Sequence, residues 1–165
     1  TESNNGGCEP VYTRILLPLD GSETAERAVP FAVAQADRFR AQLILLRAVE
    51  PILVTRNLAA LDDARQERMD WARDYLESVA SSIRERGIQV KTVVTEEAPN
   101  VAITEYAETN EVDLVVLSSR GYSGPSRWLM GSVADRIVRG ASVPVLLVRS
   151  KEKPRGKSAP GPPNG

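Results

Sequence analysis

The sequence contains no histidine and a single cysteine, Cys8, which excludes whole classes of catalytic and metal site. Without an imidazole, one chain cannot activate a serine or cysteine nucleophile through histidine or bind zinc or iron through histidine ligands. A lone cysteine in a polar segment also excludes an intramolecular disulfide and a paired-thiol redox motif. This cysteine usage favours the cytoplasm, which we take as the expected location.

The chain also lacks an excess of either charge and any long apolar run. Its 21 Lys and Arg residues are matched by 22 Asp and Glu residues, giving a formal net charge of -1. No broad basic field is available for nucleic acid phosphates or an anionic membrane, so any anion has to be bound locally. Apolar runs such as residues 15–17 and 43–46 are only as long as strands. We therefore predict neither a nucleic acid partner nor a membrane partner.

The two ends of the chain differ in composition from its middle. Residues 1–10 and 150–165 are polar, rich in Gly, Pro or Lys, and carry no periodic apolar positions. Because ordering such segments would bury little apolar surface, we expect a flexible N-terminal leader and a disordered C-terminal tail. Residues 11–149 contain neither a linker nor an internal repeat, which predicts a single domain.

Five apolar, β-rich runs alternate with helical patterns inside that domain. They cover residues 12–19, 42–49, 89–95, 113–117 and 144–148. Their nearly continuous Val, Ile and Leu content is typical of strands that are covered on both faces, as in parallel sheets with crossover helices. The pattern therefore predicts an α/β fold, an open five-stranded, mostly parallel sheet with helices on both faces.

Capping and breaking residues predict where the intervening helices begin and end. Ser22 can cap the first helix, and Gly87 can end the second in a left-handed conformation. The third helix is expected after residues 99–100 and the fourth after residues 131–132. Pro30 falls inside the first helical pattern, where proline removes a hydrogen bond, so we expect a kink or a late start there.

The first candidate site is the loop after strand one, with the sequence Pro-Leu-Asp-Gly-Ser at residues 18–22. Open parallel sheets bind ligands beyond the carboxyl ends of their strands, where neighbouring connections leave on opposite faces. Asp20 can accept hydrogen bonds there from ribose hydroxyls or an adenine amino group. The alternative is that Asp20 and Gly21 only form a turn while Ser22 caps the helix.

The second candidate site is the connection after strand four, residues 118–133, which is long for a strand-to-helix loop. Gly121 and Gly131 would let backbone amides approach an anion, and Ser132 adds a hydroxyl at a helix start. The alternative is that these glycines only serve turns. Two other phosphate motifs fail, because no GxGxxG follows strand one and Lys151 stands where a P-loop needs glycine.

Together these two loops resemble the signatures of the universal stress protein family. The first loop matches its early P-x-D-x-S motif, and the second matches its late G-x2-G-x9-G-S/T motif from Gly121 through Gly131 to Ser132. Ser118 stands where the late motif has its first glycine. The similarity covers residues 11–149 and implies the strand order 3-2-1-4-5 of an adenine nucleotide alpha hydrolase-like fold, which brings the two loops together.

The resemblance also implies an adenine nucleotide ligand, ATP or AMP and ADP, with or without Mg²⁺. Residues that flank the adenosine would be Pro18, Leu19, Asp20 and Ala48. Residues that line the ribose and phosphates would be Ser118, Ser119, Arg120, Gly121, Gly131, Ser132 and Val133. Arg120 or Arg127 could add positive charge, or either could be a solvated surface side chain.

The implied function is a regulatory ATP-binding module that acts in stress response as a homodimer, pairing through the edge strand at residues 144–148. Two alternatives stay open: a nucleotide-independent dimeric interaction protein and a slow ATPase. Ser118, in place of the motif's first glycine, favours the first. The sequence supplies no obvious general base beside a γ-phosphate, although Asp20 or a metal-bound water could act as one. A dedicated enzyme is therefore not expected, and slow hydrolysis or autophosphorylation stays open.

Overall fold

The structure, a computed structural model, describes residues 11–51, 58–119 and 131–149. Strands and helices alternate along these residues as the apolar pattern predicts. The elements in chain order are β1 (Arg14–Pro18), α1 (Glu23–Glu26), α2 (Val29–Phe39), β2 (Gln42–Ala48), α3 (Leu58–Arg84), β3 (Val90–Thr95), α4 (Pro99–Thr109), β4 (Leu114–Ser119), α5 (Ser132–Gly140) and β5 (Val145–Arg149).

The five strands form one parallel sheet in the order β3-β2-β1-β4-β5, which confirms both the predicted fold class and the implied strand order. Strand β4 ends two residues later than predicted, because Ser118 and Ser119 still pair with Val148 and Arg149 of β5. The predicted loop at residue 118 therefore begins after the strand, and Ser118 belongs to the sheet.

Successive residues of the strands enter two separate apolar cores, one on each face of the sheet. On one face, Ile15 and Leu17 pack in a cluster with residues of α2 and α3. On the other face, Leu16 packs with residues of α4 and α5. All three of these β1 side chains are fully buried, so the central strand is covered on both sides.

The first helical pattern is divided in two, as the position of Pro30 predicts. Helix α1 is a single turn, and α2 starts at Val29 with Pro30 in its first turn. Proline is tolerated there because the first N–H groups of a helix have no intrahelical acceptor. Gly87 follows the end of α3 with φ +81°, the left-handed conformation expected of it.

Several expectations concern residues that the structure does not describe. The flexible leader at residues 1–10 and the disordered tail at residues 150–165 lie outside the described ranges. None of the described helices combines the length and the apolar content needed to cross a membrane.

Leu76 of α3 tests how much the packing of this helix stabilises the sheet. Its side chain is fully buried in the same cluster as Ile15 and Leu17. We expect Leu76→Ala to lower the free energy of unfolding by about 2–5 kcal/mol, because the lost contacts leave a cavity. Urea unfolding followed by circular dichroism measures this change. Ser78→Ala, at an exposed position of the same helix, is the control, and a comparably small effect of both variants would contradict the assigned packing.

Candidate functional site

A cavity of about 210 Å³ opens at the carboxyl edge of the sheet, where β1 and β4 lie side by side. The helix after β1 packs on one face of the sheet, whereas the helix after β4 packs on the other. Their departure in opposite directions leaves the crevice that open α/β sheets use for ligands. The first loop and the described ends of the second, Ser118 and residues 131–133, therefore lie at this cavity.

Eight of the eleven predicted site residues line the cavity: Pro18, Leu19, Asp20, Ala48, Ser118, Gly131, Ser132 and Val133. The ninth, Ser119, does not line it. Its side chain is buried, and its hydroxyl donates a hydrogen bond to the carbonyl of Val148 at 3.4 Å. The remaining two, Arg120 and Gly121, lie outside the described residues, as does Arg127.

The two serines at the end of β4 are separated because successive side chains of a strand point to opposite faces. Ser118 is half-buried, lines the cavity and continues the face of Leu114 and Val116, whereas the buried Ser119 continues the face of Val115 and Leu117. The prediction placed both residues in the loop after strand four, where this alternation would not apply. The strand therefore continues through Ser119, and of the two serines only Ser118 lines the cavity.

Asp20 is held in place by the residue two positions further along the chain. The backbone N–H and the hydroxyl of Ser22 donate to its Oδ1 at 2.9 and 2.6 Å. The hydroxyl of Ser22 in turn accepts the N–H of Ala25 at 3.1 Å and so caps α1 as predicted. Both hydrogen bonds that Asp20 accepts from described residues go to Oδ1, so Oδ2 can accept from a ligand.

The wall of the cavity next to Asp20 is apolar. Leu46 and Ala48 are alternate residues of β2, so both face this side of the sheet, and the N–H of Leu19 donates to the carbonyl of Leu46 at 2.9 Å. Sequence analysis missed seven lining residues besides the turn residue Ser22: Thr24, Ala25, Leu46, Pro99, Ile103, Leu117 and Ala134. The alternation of side chains in β2 and the helical spacing in α4 were the sequence signals that could have identified some of these residues. Such a wall suits the flat face of an aromatic ring.

The opposite part of the cavity lining is the first turn of α5. Gly131 is the N-cap residue and Ser132 the first helical residue, one position earlier than predicted. The carbonyl of Gly131 accepts the N–H of Asp135 at 2.9 Å, whereas the preceding amides have no acceptor within the helix. These amides and the positive end of the helix dipole can bind an anion.

No group of three or more Asp, Glu or Cys side chains that could hold a metal ion occurs among the described residues. The cavity lining described here carries one carboxylate, that of Asp20.

A second cluster lies at the same edge of the sheet on its other face. Arg47 precedes Ala48 in β2, and its guanidinium carbon lies 4.4 Å from the ring centre of Trp71 and 5.6 Å from that of Tyr75. The two rings are parallel within 5°, with centres 5.6 Å apart. The phenol of Tyr75 donates to Glu26 at 2.9 Å, which links α3 to α1.

Burial governs the ionisation of this cluster. It lowers the pKa of Arg47, and attraction to the carboxylate of Asp20 opposes that shift. Burial and then the hydrogen bond to Glu26 raise the pKa of Tyr75. Sequence analysis missed this cluster, although the i, i+4 spacing of Trp71 and Tyr75 places both rings on one side of α3.

Comparison with known proteins agrees with this architecture. A model of the universal stress protein family matches residues 11–149. Universal stress protein MJ0531 of Methanocaldococcus jannaschii is 29% identical over 147 residues, which cover 88% of this chain and 86% of that protein. The solved universal stress protein UspA from Lactobacillus plantarum has a TM-score of 0.72 at 29% identity, covering 84% of this chain and 98% of its own.

A universal stress protein solved in complex with cAMP is also similar, with a TM-score of 0.60 at 25% identity and coverage of 83% of this chain and 96% of its own. The family match includes every described element, from β1 to β5. The sheet order and the two loop motifs lead to the same assignment independently of that match. The chain belongs to the universal stress protein family.

Proposed function

We propose that this chain is a regulatory module that binds an adenine nucleotide, ATP or its mono- and diphosphate forms, in the cavity between β1 and β4. The observation that carries the proposal is the shared lining of that cavity. A carboxylate acceptor, Asp20, and the amide-bearing start of α5 at Gly131 and Ser132 face the same space. A nucleotide has both hydroxyls that need an acceptor and phosphates that need donors.

The adenosine end of the ligand is assigned to the first loop and β2. The apolar surface of Leu46 and Ala48 suits a base, and Oδ2 of Asp20 suits a ribose hydroxyl or an amino group. Hydrogen bonds to a charged group are worth about 1.5–3 kcal/mol, enough to select the orientation of the nucleoside. Pro18 and Leu19 complete this side of the proposed site.

The phosphate end is assigned to the start of α5 and the residues before it. Unpaired amides near Gly131, Ser132 and Val133 can donate to phosphate oxygens, and the helix dipole adds to the attraction. Arg120 and Gly121, outside the described residues, are assigned to the same phosphates by the family motif. Mg²⁺, where present, would reach the site bound to the phosphates.

Ser118 departs from the family motif, which has a glycine at this position. It lines the cavity at the carboxyl end of β4. Its place at the cavity supports a site that accepts a nucleotide with serine there. The related protein solved with cAMP supports adenine nucleotide binding in this fold. A regulatory role then requires that the nucleotide favours one conformation over another, without rapid turnover.

We further propose that two copies associate through β5. This strand lies at the edge of the sheet, and its residues Val145, Leu146 and Leu147 are only half-buried. An apolar edge strand with unpaired backbone groups invites pairing with another strand. The nucleotide-independent alternative would use this same edge.

Substitution of Gly131 tests the proposed phosphate contacts. We expect Gly131→Leu to weaken ATP binding at least about tenfold, because a side chain at the N-cap blocks the approach to the first amides of α5. Isothermal titration with ATP, AMP and adenosine, each with and without Mg²⁺, measures the change.

Gly140→Leu is a matched control at the other end of the same helix, where an added Cβ would meet nothing within 4 Å. Its ATP affinity should equal that of the wild type. Absence of saturable binding to the wild type at millimolar ATP would refute the proposed function and favour the nucleotide-independent alternative. Release of ADP, measured in parallel, distinguishes a binding module from a slow ATPase.

The oligomeric state tests the assignment of β5. We expect light scattering after size exclusion to give twice the 18.0 kDa mass of the chain, because the half-buried apolar edge is covered in a pair. A mass of 18.0 kDa throughout the micromolar range would contradict the proposed dimer.

A further inference from the structure

Building on the proposed function, we propose that Arg47 is a positioning residue that holds the loop carrying Asp20 in the geometry adenosine binding needs. Arg47 does not line the cavity. It acts from the opposite face of the sheet, through the contacts of Gly21 with the cluster of Arg47 and Trp71. The inference starts from the loop of residues 20–22. Asp20 and Ser22 line the cavity, and Gly21 contacts Trp71 and Arg47.

The close approach at Gly21 provides the mechanical link. A Cβ on this residue would lie 2.9 Å from Cη2 of Trp71 and 3.0 Å from Nη1 of Arg47. Gly21 also has φ +82°, a conformation that L side chains rarely adopt. The backbone between Asp20 and Ser22 therefore rests directly on the guanidinium and the indole, and its position depends on theirs.

The charge of Arg47 provides the electrostatic link. Nε and Nη1 are buried and have no hydrogen-bond partner among the described residues. The largest favourable electrostatic influence on this buried cation is the carboxylate of Asp20. Burial of polar guanidinium atoms without hydrogen bonds costs free energy. The contact with Trp71 and the attraction toward Asp20 both offset this cost, and the attraction links Arg47 to the loop of the site.

The aromatic rings keep the guanidinium in place. Trp71 lies under it at 4.4 Å, and Tyr75 is fixed by its hydrogen bond to Glu26. Glu26 belongs to α1, the helix that Ser22 caps. The cluster thus contacts the backbone of the loop at Gly21 and also the helix that follows the loop, α1.

Titration of Arg47→Met and Arg47→Lys with adenosine and ATP tests the proposal. Met retains the length of the side chain without its charge, so we expect adenosine and ATP affinities to fall by the same factor, about five- to tenfold. Lys retains the charge and should recover part of the loss. Arg86→Met, which removes an exposed charge just after the end of α3, should bind like the wild type.

A double-mutant cycle with Asp20→Asn shows whether Arg47 acts through Asp20. If it does, Arg47→Met weakens adenosine binding in the wild-type background and has little further effect in Asp20→Asn. Unchanged adenosine affinity in Arg47→Met overturns the inference and leaves the proposed function intact. A loss confined to ATP also overturns it, because Arg47 would then act on the phosphates directly.

Amide hydrogen exchange in the ligand-free chain separates failure of this inference from failure of the proposed function. Positioning predicts faster exchange at the amides of Gly21 and Ser22 in Arg47→Met, with the amides of α5 unchanged. If the wild type binds no adenosine, the proposed function fails. If exchange at the loop is also unchanged, the positioning role of Arg47 fails with it.

Discussion

The structure depends on the burial of β1 between two layers of helices. Ile15, Leu16 and Leu17 are fully buried, and the strand pairs with β2 on one side and β4 on the other. From β1 the chain continues to β2 on one side, and from β4 it continues to β5 on the other, so right-handed crossovers place the connecting helices on opposite faces of the sheet. The crevice between those departures is a consequence of the topology. The candidate site is therefore fixed by the packing of one strand.

The same burial explains how much of the fold could be predicted from the sequence. Strands that are covered on both faces require nearly continuous apolar runs, so all five were predictable, and the helix break at Pro30 followed from the chemistry of proline. The meeting of Asp20 with Gly131 was predictable only through the family resemblance, because 110 residues separate them and no local pattern records the order of strands.

Two features escaped prediction for physical reasons. The end of β4 depends on backbone pairing of Ser118 and Ser119 with β5, and polar residues at a strand end carry no apolar signal. The contact of Arg47 with Trp71 joins a strand and a helix, and its energy comes from a cation over an aromatic ring. Periodicity predicts the face of a strand or helix on which a residue lies. Predicting this contact also requires knowing how closely the helix packs on the strand.

The alternation of side chains at the carboxyl ends of the strands also determines which residues lie at the cavity. In β2, Ala48 lines the cavity, whereas its chain neighbour Arg47 lies on the opposite face of the sheet against Trp71. A shift of one residue in the pairing of β2 would place a guanidinium in the cavity and a methyl group beside Trp71. The register that pairs Pro18 with Leu46 is thus a condition for the proposed binding as well as for packing. The proposed binding and its support depend on adjacent residues of β2, so a change in register would disturb both.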